Sequence, residues 1–335
     1  MITVILPCYK SSNIVLDVID RIPSDVAEII VVDDCCPEGT GRLVLENCDD
    51  ERVKVISHPE NRGVGAAMKT GFTEALKGSG EVFVKIDSDG QLAPEILRRF
   101  VEPITKGNAD YCKGNRFYDI ESLGDMPKIR LLGNSALSFM TKFASGYWSL
   151  MDPTNGYIAV HRKVLENIPI DKLENRFFFE TDLLFRMNTI NALVLDIPME
   201  AVYRDEKSNL SVSRSIPSFL YKNIKLFIKR IFYNYFLRDF SIASVNLVMG
   251  TMLFFGGLFF GIERHLHFKA LNLETPGGTQ VLTAILMLIG FQLLLSFINH
   301  DMSREPGRII HDRLPDIAPY RDRNGNCEQK SRTDK

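Results

Sequence analysis

No pair of cysteines in this chain has the spacing of a metal or redox motif. The six are Cys8, Cys35, Cys36, Cys48, Cys112 and Cys327. The absence of C-x-x-C removes the usual zinc and dithiol motifs, and irregular spacing over 335 residues suits reduced thiols facing a cytosol. An excess of one charge is lacking too. The net charge is −2, so there is no basic field to recruit nucleic acid. No secretory leader is legible, because the apolar start Ile2 to Leu6 is short and runs into a turn at Pro7. There is no internal repeat. A dinucleotide fingerprint is missing as well: after Gly63 and Gly65 the third glycine would fall at Met68, and the pair follows the third expected strand rather than the first. Donors at a helix start there can still meet a phosphate or a nucleotide edge. The last absence is of charge itself, over Phe240 to Ile262 and again over Thr275 to Asn299. Each stretch is long enough to cross about 30 Å of hydrocarbon at about 1.5 Å per residue.

What is present centres on Val82-Phe83-Val84-Lys85-Ile86-Asp87-Ser88-Asp89-Gly90-Gln91. The β-branched alternation reads as a buried strand. Gly90 breaks it, and Pro94 with Glu95 opens a helical pattern. Asp87, Asp89 and Gln91 therefore sit at the carboxyl end of a strand, where open α/β sheets bind ligands. Hard oxygen ligands so close together suit Mg²⁺ or Mn²⁺, which keep several positions for water or phosphate.

The flanking segments extend this reading. Met1 to Leu6 is a first strand, and Ser11 or Ser12 is placed to cap a helix reaching about Ile22. Glu28 to Val32 is a second strand ending in Asp33-Asp34, Val53 to Ile56 a third, and a helix through Met68, Phe72 and Leu76 precedes the fourth. This β-α-β alternation predicts an α/β fold with a parallel sheet covered on both faces. Further on, Ala109 to Asn115 reads as a strand, Ile129 to Ser145 as an apolar helix and Asp152 to Gly156 as a turn before the strand Tyr157 to His161. Phe177 to Asn188 is helical, Leu193 to Tyr203 a strand, and Arg204 to Ser213 polar.

Composition then shifts. Ile216 to Arg238 interleaves Phe and Tyr with Lys222, Lys225, Lys229, Arg230 and Arg238, which suits a helix in a membrane interface attracted by anionic lipid. Basic residues flank the two apolar stretches on their outer sides: Lys229, Arg230 and Arg238 before, Arg304, Arg308 and Arg313 after. The stretch Glu263 to Glu274 between them balances Arg264 and Lys269 against its glutamates. The positive-inside rule then makes this a multi-pass cytoplasmic-membrane protein with its catalytic domain and both termini in the cytoplasm. Asn246 and Gln292 are placed to bond between the spans. The expected division is a catalytic domain over 1–213, a juxtamembrane segment over 214–238, two spans within 239–302 (about 240–262 and 277–299), and a poorly ordered polar tail over 303–335.

From the residues alone, this is an α/β domain with an acidic metal site on a membrane anchor. A metal at Asp87 and Asp89 would neutralise a diphosphate leaving group, and Asp34 on the same sheet edge can bond a base or ribose. A nucleotide-activated substrate and a lipid co-substrate follow.

At this point the chain resembles family-2 glycosyltransferases of the GT-A fold, in the polyprenyl-phosphate (dolichol-phosphate mannose synthase-like) group and its membrane-anchored bacterial type. The matching motifs are Pro7-Cys8-Tyr9-Lys10, Val31-Val32-Asp33-Asp34, Asp87-Ser88-Asp89-Gly90-Gln91, Gly114-Asn115-Arg116 and Asp152-Pro153-Thr154-Asn155-Gly156. The resemblance implies a Rossmann-like, mostly parallel sheet. It implies that Pro7, Tyr9, Asp34 and Asp87 hold the nucleotide of a nucleotide-sugar donor. Asp87, Asp89 and Gln91 would hold Mg²⁺ or Mn²⁺. Arg116, Arg130 and Asn134 would face a polyprenyl-phosphate lipid, with Arg204 on a loop over the phosphates. Asp89, Asp152 and Arg116 are the implied catalytic set, Asp152 being the base candidate by position. A homo-oligomer, dimer or tetramer, is compatible with it. Two departures stand out: Cys35-Cys36 replaces the usual Gly-Ser or Asp-Ser, and Asn134 stands where serine is common.

The implied reaction moves a sugar onto polyprenyl phosphate for glycan or cell-envelope assembly. A phosphate monoester is already ionised near neutral pH, with a second pKa of about 6, and needs little help from a base. Two other readings remain open at this stage: a membrane-bound glycosyltransferase that extends a saccharide or lipid hydroxyl and requires a working base, or a non-catalytic membrane assembly subunit.

Overall fold

The computed structural model describes residues 1–118, 128–153, 155–200 and 212–315. They form two compact units. The first joins Met1–Asn223 to the segment that starts at Pro306, and the second is Ile224–Glu305.

The first unit is built on a seven-stranded sheet ordered β3-β2-β1-β4-β6-β5-β7. Its strands are β1 (Ile2–Cys8), β2 (Val26–Asp33), β3 (Val53–Ser57), β4 (Val82–Lys85), β5 (Tyr111–Asn115), β6 (Ile158–His161) and β7 (Val194–Pro198). All pairings are parallel except those of β6, which runs antiparallel to both β4 and β5. The sheet is therefore mostly parallel, as expected, and the β-α-β rhythm of β1 to β4 gives parallel pairings throughout. β6 is inserted in the opposite sense, so the turn that precedes it lies at the edge where β1, β2, β4 and β5 end.

Alternation along the strands feeds two cores. Ile5, Ile30, Val32, Phe83, Ile158 and Val160 pack on one face with α3 (Val64–Ala75) and α7 (Phe179–Thr189). Val4, Leu6, Ile29, Val31, Val84 and Ala159 pack on the other with α1 (Val15–Asp20) and α4 (Leu97–Thr105). Helices on both sheet faces bury the apolar strands, as an α/β layer requires. The shorter helices α2 (Thr40–Asn47) and α6 (Arg162–Glu166) and the longer α5 (Lys128–Ser145) complete this unit, together with the start of α8 (Val212–Phe232).

Ser11 and Ser12 do not cap α1. The helix begins at Val15, the Ser11 carbonyl accepts from the N–H groups of Ile14 and Val15, and the Ser11 hydroxyl turns to Ser88 at 2.9 Å. Lys222, expected to face lipid, instead pairs with Glu174 of this unit at 3.1 Å.

The expected polar tail is also revised over 306–315. There Ile310 and Leu314 pack against the α3/α7 core. The N–H groups of Ile310 and His311 donate to the buried Asp110 carboxylate at 3.0 Å and 2.9 Å, and His311 Nδ1 lies 2.7 Å from it. The His311 ring stacks on His161, with centroids 4.2 Å apart.

The second unit is a helical hairpin preceded by the end of α8 and a π-helical turn, Tyr233–Arg238. Its long helices are α9 (Ile242–Ala270) and α10 (Gly277–Ser303), both long and apolar enough to cross a membrane. The stretch Glu263 to Glu274, expected as a loop, is helical as far as Ala270. Glycines set the approach of the two helices: a Cβ on Gly290 would stand 2.4 Å from the Phe254 nitrogen, and one on Gly261 2.4 Å from Thr283 Cγ2. Asn246 bonds across the hairpin as expected, but to Ser296 (3.2 Å) rather than Gln292. Arg230, expected as a lipid-attracting charge, is buried against Asp301 through two bonds of 2.7 and 2.9 Å. Arg304 likewise pairs with Asp239 at 2.8 Å. Two of the flanking basic residues are thus matched by acids.

Candidate active site

Because β1, β2, β4 and β5 point the same way and β6 starts where they end, one sheet edge collects every motif singled out in the sequence that the structure describes. Strand order reverses on either side of β1, the place where such sheets open a crevice for ligands. The loops are tied together there: the Ser88 hydroxyl donates to the Pro7 carbonyl at 2.9 Å.

On the β1/β2 side the carboxylates serve the backbone. Asp33 accepts from the N–H groups of Cys36 (2.8 Å) and Gly41 (3.0 Å), so it satisfies donors at the start of α2. Asp34 is 3% exposed and accepts from the N–H groups of Arg62 (2.9 Å) and Gly63 (2.6 Å), with His58 Nδ1 at 2.8 Å. Asp34, which the sequence reading put on the nucleotide, thus holds the 58–63 loop at this edge. Tyr9 remains 42% exposed at the mouth of this edge, a suitable face for a base to stack on. Cys35 adopts φ +54°, a left-handed conformation that glycine, and less readily aspartate, takes at lower cost than cysteine. Cys36 Sγ accepts the Lys10 N–H at 3.0 Å and the Thr40 hydroxyl at 3.1 Å.

On the β4 side, Asp87 and Asp89 are partly exposed. Gly90 takes φ +70°, and the Gln91 N–H donates to Asp89 Oδ1 at 3.0 Å. Among the described residues, no group of three His, Cys, Asp or Glu side chains is gathered to hold a metal. The set fits a hard divalent ion that takes few protein ligands and completes its sphere with water and phosphate oxygens. Asp87 and Asp89, with Gln91 beside them, are the residues that could hold one.

Behind Asp87 stands a residue that the sequence reading passed over. Lys85 is 1% exposed, and its Nζ lies 2.7 Å from Asp87 Oδ1 and 3.4 Å from Glu180 Oε1 and donates to the Gly156 carbonyl at 3.0 Å. Burial pushes its pKa down, but the two carboxylates outweigh burial and the net shift is upward. Gly156 is needed for this approach, since a Cβ there would meet Asp87 Oδ2 at 2.1 Å. The available signal was a lysine in an otherwise apolar strand of a sheet covered on both faces.

On the β5/β6 side, Asp152 is wholly buried and grips Arg116 in a fork, with Nε to Oδ2 at 2.7 Å and Nη2 to Oδ1 at 3.1 Å. The Arg116 N–H and the Asn155 amide reach the same carboxylate at 3.3 and 3.2 Å. Asp152 thus has the geometry of an orienting group for Arg116 rather than of an open base. Arg116 keeps 27% of its side chain exposed and offers a planar donor set suited to phosphate. The side chains of Arg130 and Asn134, on α5, and all of Arg204 lie outside the described residues. Two more charges were missed. Lys113, with no exposure, donates to the Asn155 carbonyl at 2.5 Å, and burial pushes its pKa down to about 8. Asp196 accepts the Met151 N–H at 2.6 Å, and burial raises it to about 6.

Residues 3–169 match glycosyl transferase family 2. The chain is 31% identical over 207 residues to polyprenol monophosphomannose synthase of Mycolicibacterium smegmatis, covering 60% of this chain and 77% of that one. It is 25% identical over 221 residues to UDP-N-acetylglucosamine–dolichyl-phosphate N-acetylglucosaminyltransferase of Methanococcus voltae, covering 61% and 87%. Among solved structures, glucosyl-3-phosphoglycerate synthase from Mycobacterium tuberculosis in complex with Mn²⁺, uridine-diphosphate-glucose and phosphoglyceric acid superposes with a TM-score of 0.51 at 19% identity, covering 69% of this chain and 79% of that one. The GT-A expectation for the sheet is borne out by that likeness.

Proposed function

The chain belongs to glycosyl transferase family 2, and from that premise we propose that it moves a sugar from a nucleotide-sugar donor to a polyprenyl phosphate at the cytoplasmic face of a membrane. The observation that carries this reading is the pairing on one sheet edge of Asp87 and Asp89 with the Arg116–Asp152 fork. The first suits a diphosphate and the second a phosphate acceptor. The names of the two curated relatives, with polyprenol and dolichyl-phosphate acceptors, support the lipid. The helices α9 and α10 support a membrane setting.

Asp87 and Asp89, with Gln91 beside them, would hold Mg²⁺ or Mn²⁺, and the solved neighbour's Mn²⁺ supports that choice. When bound, the ion supplies positive charge to a departing nucleoside diphosphate. Tyr9 offers its ring to the base, and the Pro7 and 58–63 loops frame the nucleotide. Arg116, fixed by Asp152, orients the acceptor phosphate so that its oxygen attacks the anomeric carbon in line with the leaving diphosphate. That oxygen is already ionised, so no side chain need remove a proton. The competing reading, transfer to a hydroxyl, needs an open base, and the burial of Asp152 under Arg116 counts against it.

The test is to offer purified full-length protein a panel of labelled sugar nucleotides with polyprenyl phosphate and follow label into the organic phase. Metal-dependent transfer from at least one donor is expected. Label appearing only when the acceptor is a saccharide or an unphosphorylated polyprenol would overturn the proposal.

A further inference from the structure

Four neighbouring strands line up one row of residues just beneath the catalytic edge. Lys85 on β4 and Lys113 on β5 are both in register with Ile158 on β6, and Lys113 is in register with Asp196 on β7. Residues in register project to the same sheet face, here the one packed by α7. From α7, Glu180 reaches Lys85 at 3.4 Å. The two buried ammonium groups then bind successive carbonyls of one turn, Lys113 that of Asn155 and Lys85 that of Gly156. Lys85 alone also touches a carboxylate of the edge, Asp87. A cationic side chain 1% exposed is costly unless matched by acids and acceptors, and this one is matched on three sides.

Resting on the glycosyltransferase reading above, we propose that Lys85 is a positioning residue for the transfer. It fixes Asp87 and the Asp152–Gly156 turn as one piece. Its charge also weakens a divalent ion bound by the carboxylates alone, so that the ion is held firmly only together with the nucleoside diphosphate. Two features support this. Asp152, which orients Arg116, lies four residues before Gly156, so Lys85 joins Asp87 directly to the chain segment that leads to the arginine's partner. Its ammonium stands 2.7 Å from a ligand oxygen, where repulsion between like charges is large even at a high effective dielectric. The diphosphate brings enough negative charge to reverse that repulsion.

The experiment titrates Mn²⁺ into the full-length protein in detergent, following free Mn²⁺ by electron paramagnetic resonance, alone and with UDP or GDP. Lys85→Met removes the repelling charge and is expected to bind Mn²⁺ alone about tenfold more tightly. The gain in affinity on adding the diphosphate should shrink, and turnover at saturating Mn²⁺ should fall because Asp87 and the turn are no longer joined. Glu180→Gln takes an acid partner from Lys85 and is expected to do the opposite, weakening Mn²⁺ alone. A purely structural role would weaken metal binding in both variants. Unchanged or weaker binding by a folded Lys85→Met protein would overturn the proposal. Should that variant not fold, equal or tighter binding by Glu180→Gln would overturn it. If the wild-type chain binds Mn²⁺ with diphosphate but neither variant moves it, only the role of Lys85 falls. If wild type binds no Mn²⁺ under any condition, the metal reading falls with it.

Discussion

The two halves of the catalytic edge handle their charges in opposite ways. On the β1/β2 half, Asp33 and Asp34 accept bonds from main-chain N–H groups, with His58 added at Asp34. Their charge shapes loops. On the β4/β6/β5 half, charges meet charges: Lys85 with Asp87 and Glu180, Arg116 with Asp152. There the negative charge is held ready but balanced, and a ligand can change the balance. On the proposed function, the first half would frame the nucleotide and the second would respond to metal and phosphate.

The sharpest test of that contrast is at the β4 end. Asp87→Asn or Asp89→Asn should lower turnover by about a hundredfold or more, since metal stabilisation of a leaving group is worth several kcal/mol. The thermal midpoint should hardly change for Asp89→Asn, and should fall for Asp87→Asn, which takes an acid partner from the buried Lys85. Near-normal turnover in both variants, or full activity in excess chelator, would erase the assignment. Asp34→Ala should act in the reverse sense. It leaves two main-chain donors without their acceptor, at about 1–3 kcal/mol each, so chemical denaturation should show a loss of roughly 3 kcal/mol. Donor KM should rise with it, while kcat for correctly folded enzyme stays close to wild type. A stable Asp34→Ala protein that has lost nucleotide binding would mean that Asp34 touches the nucleotide directly.

Asp152→Asn is a milder change, because the amide can still hold part of Arg116. A cost of about 2 kcal/mol in stability is expected from weakening a charge-assisted pair, together with a higher KM for lipid phosphate and residual turnover. Complete loss of turnover in a folded protein would make Asp152 a base and favour a hydroxyl acceptor.

The smallest effect expected is remote from the edge. Burial, helped by the neighbouring His311, lowers the His161 pKa from 6.5 to about 4. Between those values the unfolded chain binds the proton and the folded one does not, so stability rises with pH across that window. The contribution is complete above 6.5 and fades as pH falls towards 4. Asp110, Glu81 and Lys163 also act on this ring, the acids against the downward shift and the lysine with it. Melting the wild type and His161→Phe from about pH 7 to about pH 5 should show a steeper decline in the wild type. Parallel curves would remove His161 from the account.

Much of this was legible in the chain. Strands β1 to β4 and the two long apolar helices announce themselves through β-branched runs and uncharged stretches, because burial on both sides dictates composition. The acidic strand end was legible for the same reason: Asp87 and Asp89 interrupt an apolar run where a turn begins. The reversal of β6 was not, since its four residues carry the same pattern in either direction. Pairings such as Lys85 with Glu180, or Lys222 with Glu174, join residues far apart in sequence, and periodicity holds no information about them. Arg230 illustrates the limit most plainly: it looked like a lipid-attracting charge and is buried against Asp301.

The docking of residues 306–315 has a further consequence. The chain leaves the first unit after Asn223 and rejoins it at Pro306, where Asp110 clasps Ile310 and His311. The hairpin is a detour that starts and finishes on a single folded body. Such a detour can cross a bilayer only an even number of times. Were α9 and α10 to cross a membrane, closure would set that count without help from the flanking charges, of which Arg230 and Arg304 are neutralised by acids. Arginine-to-glutamine changes at the remaining flanks should therefore leave the two ends of the hairpin on a common side. Deleting one of the helices would force a choice between an unclasped 306–315 and a catalytic body drawn out of its compartment.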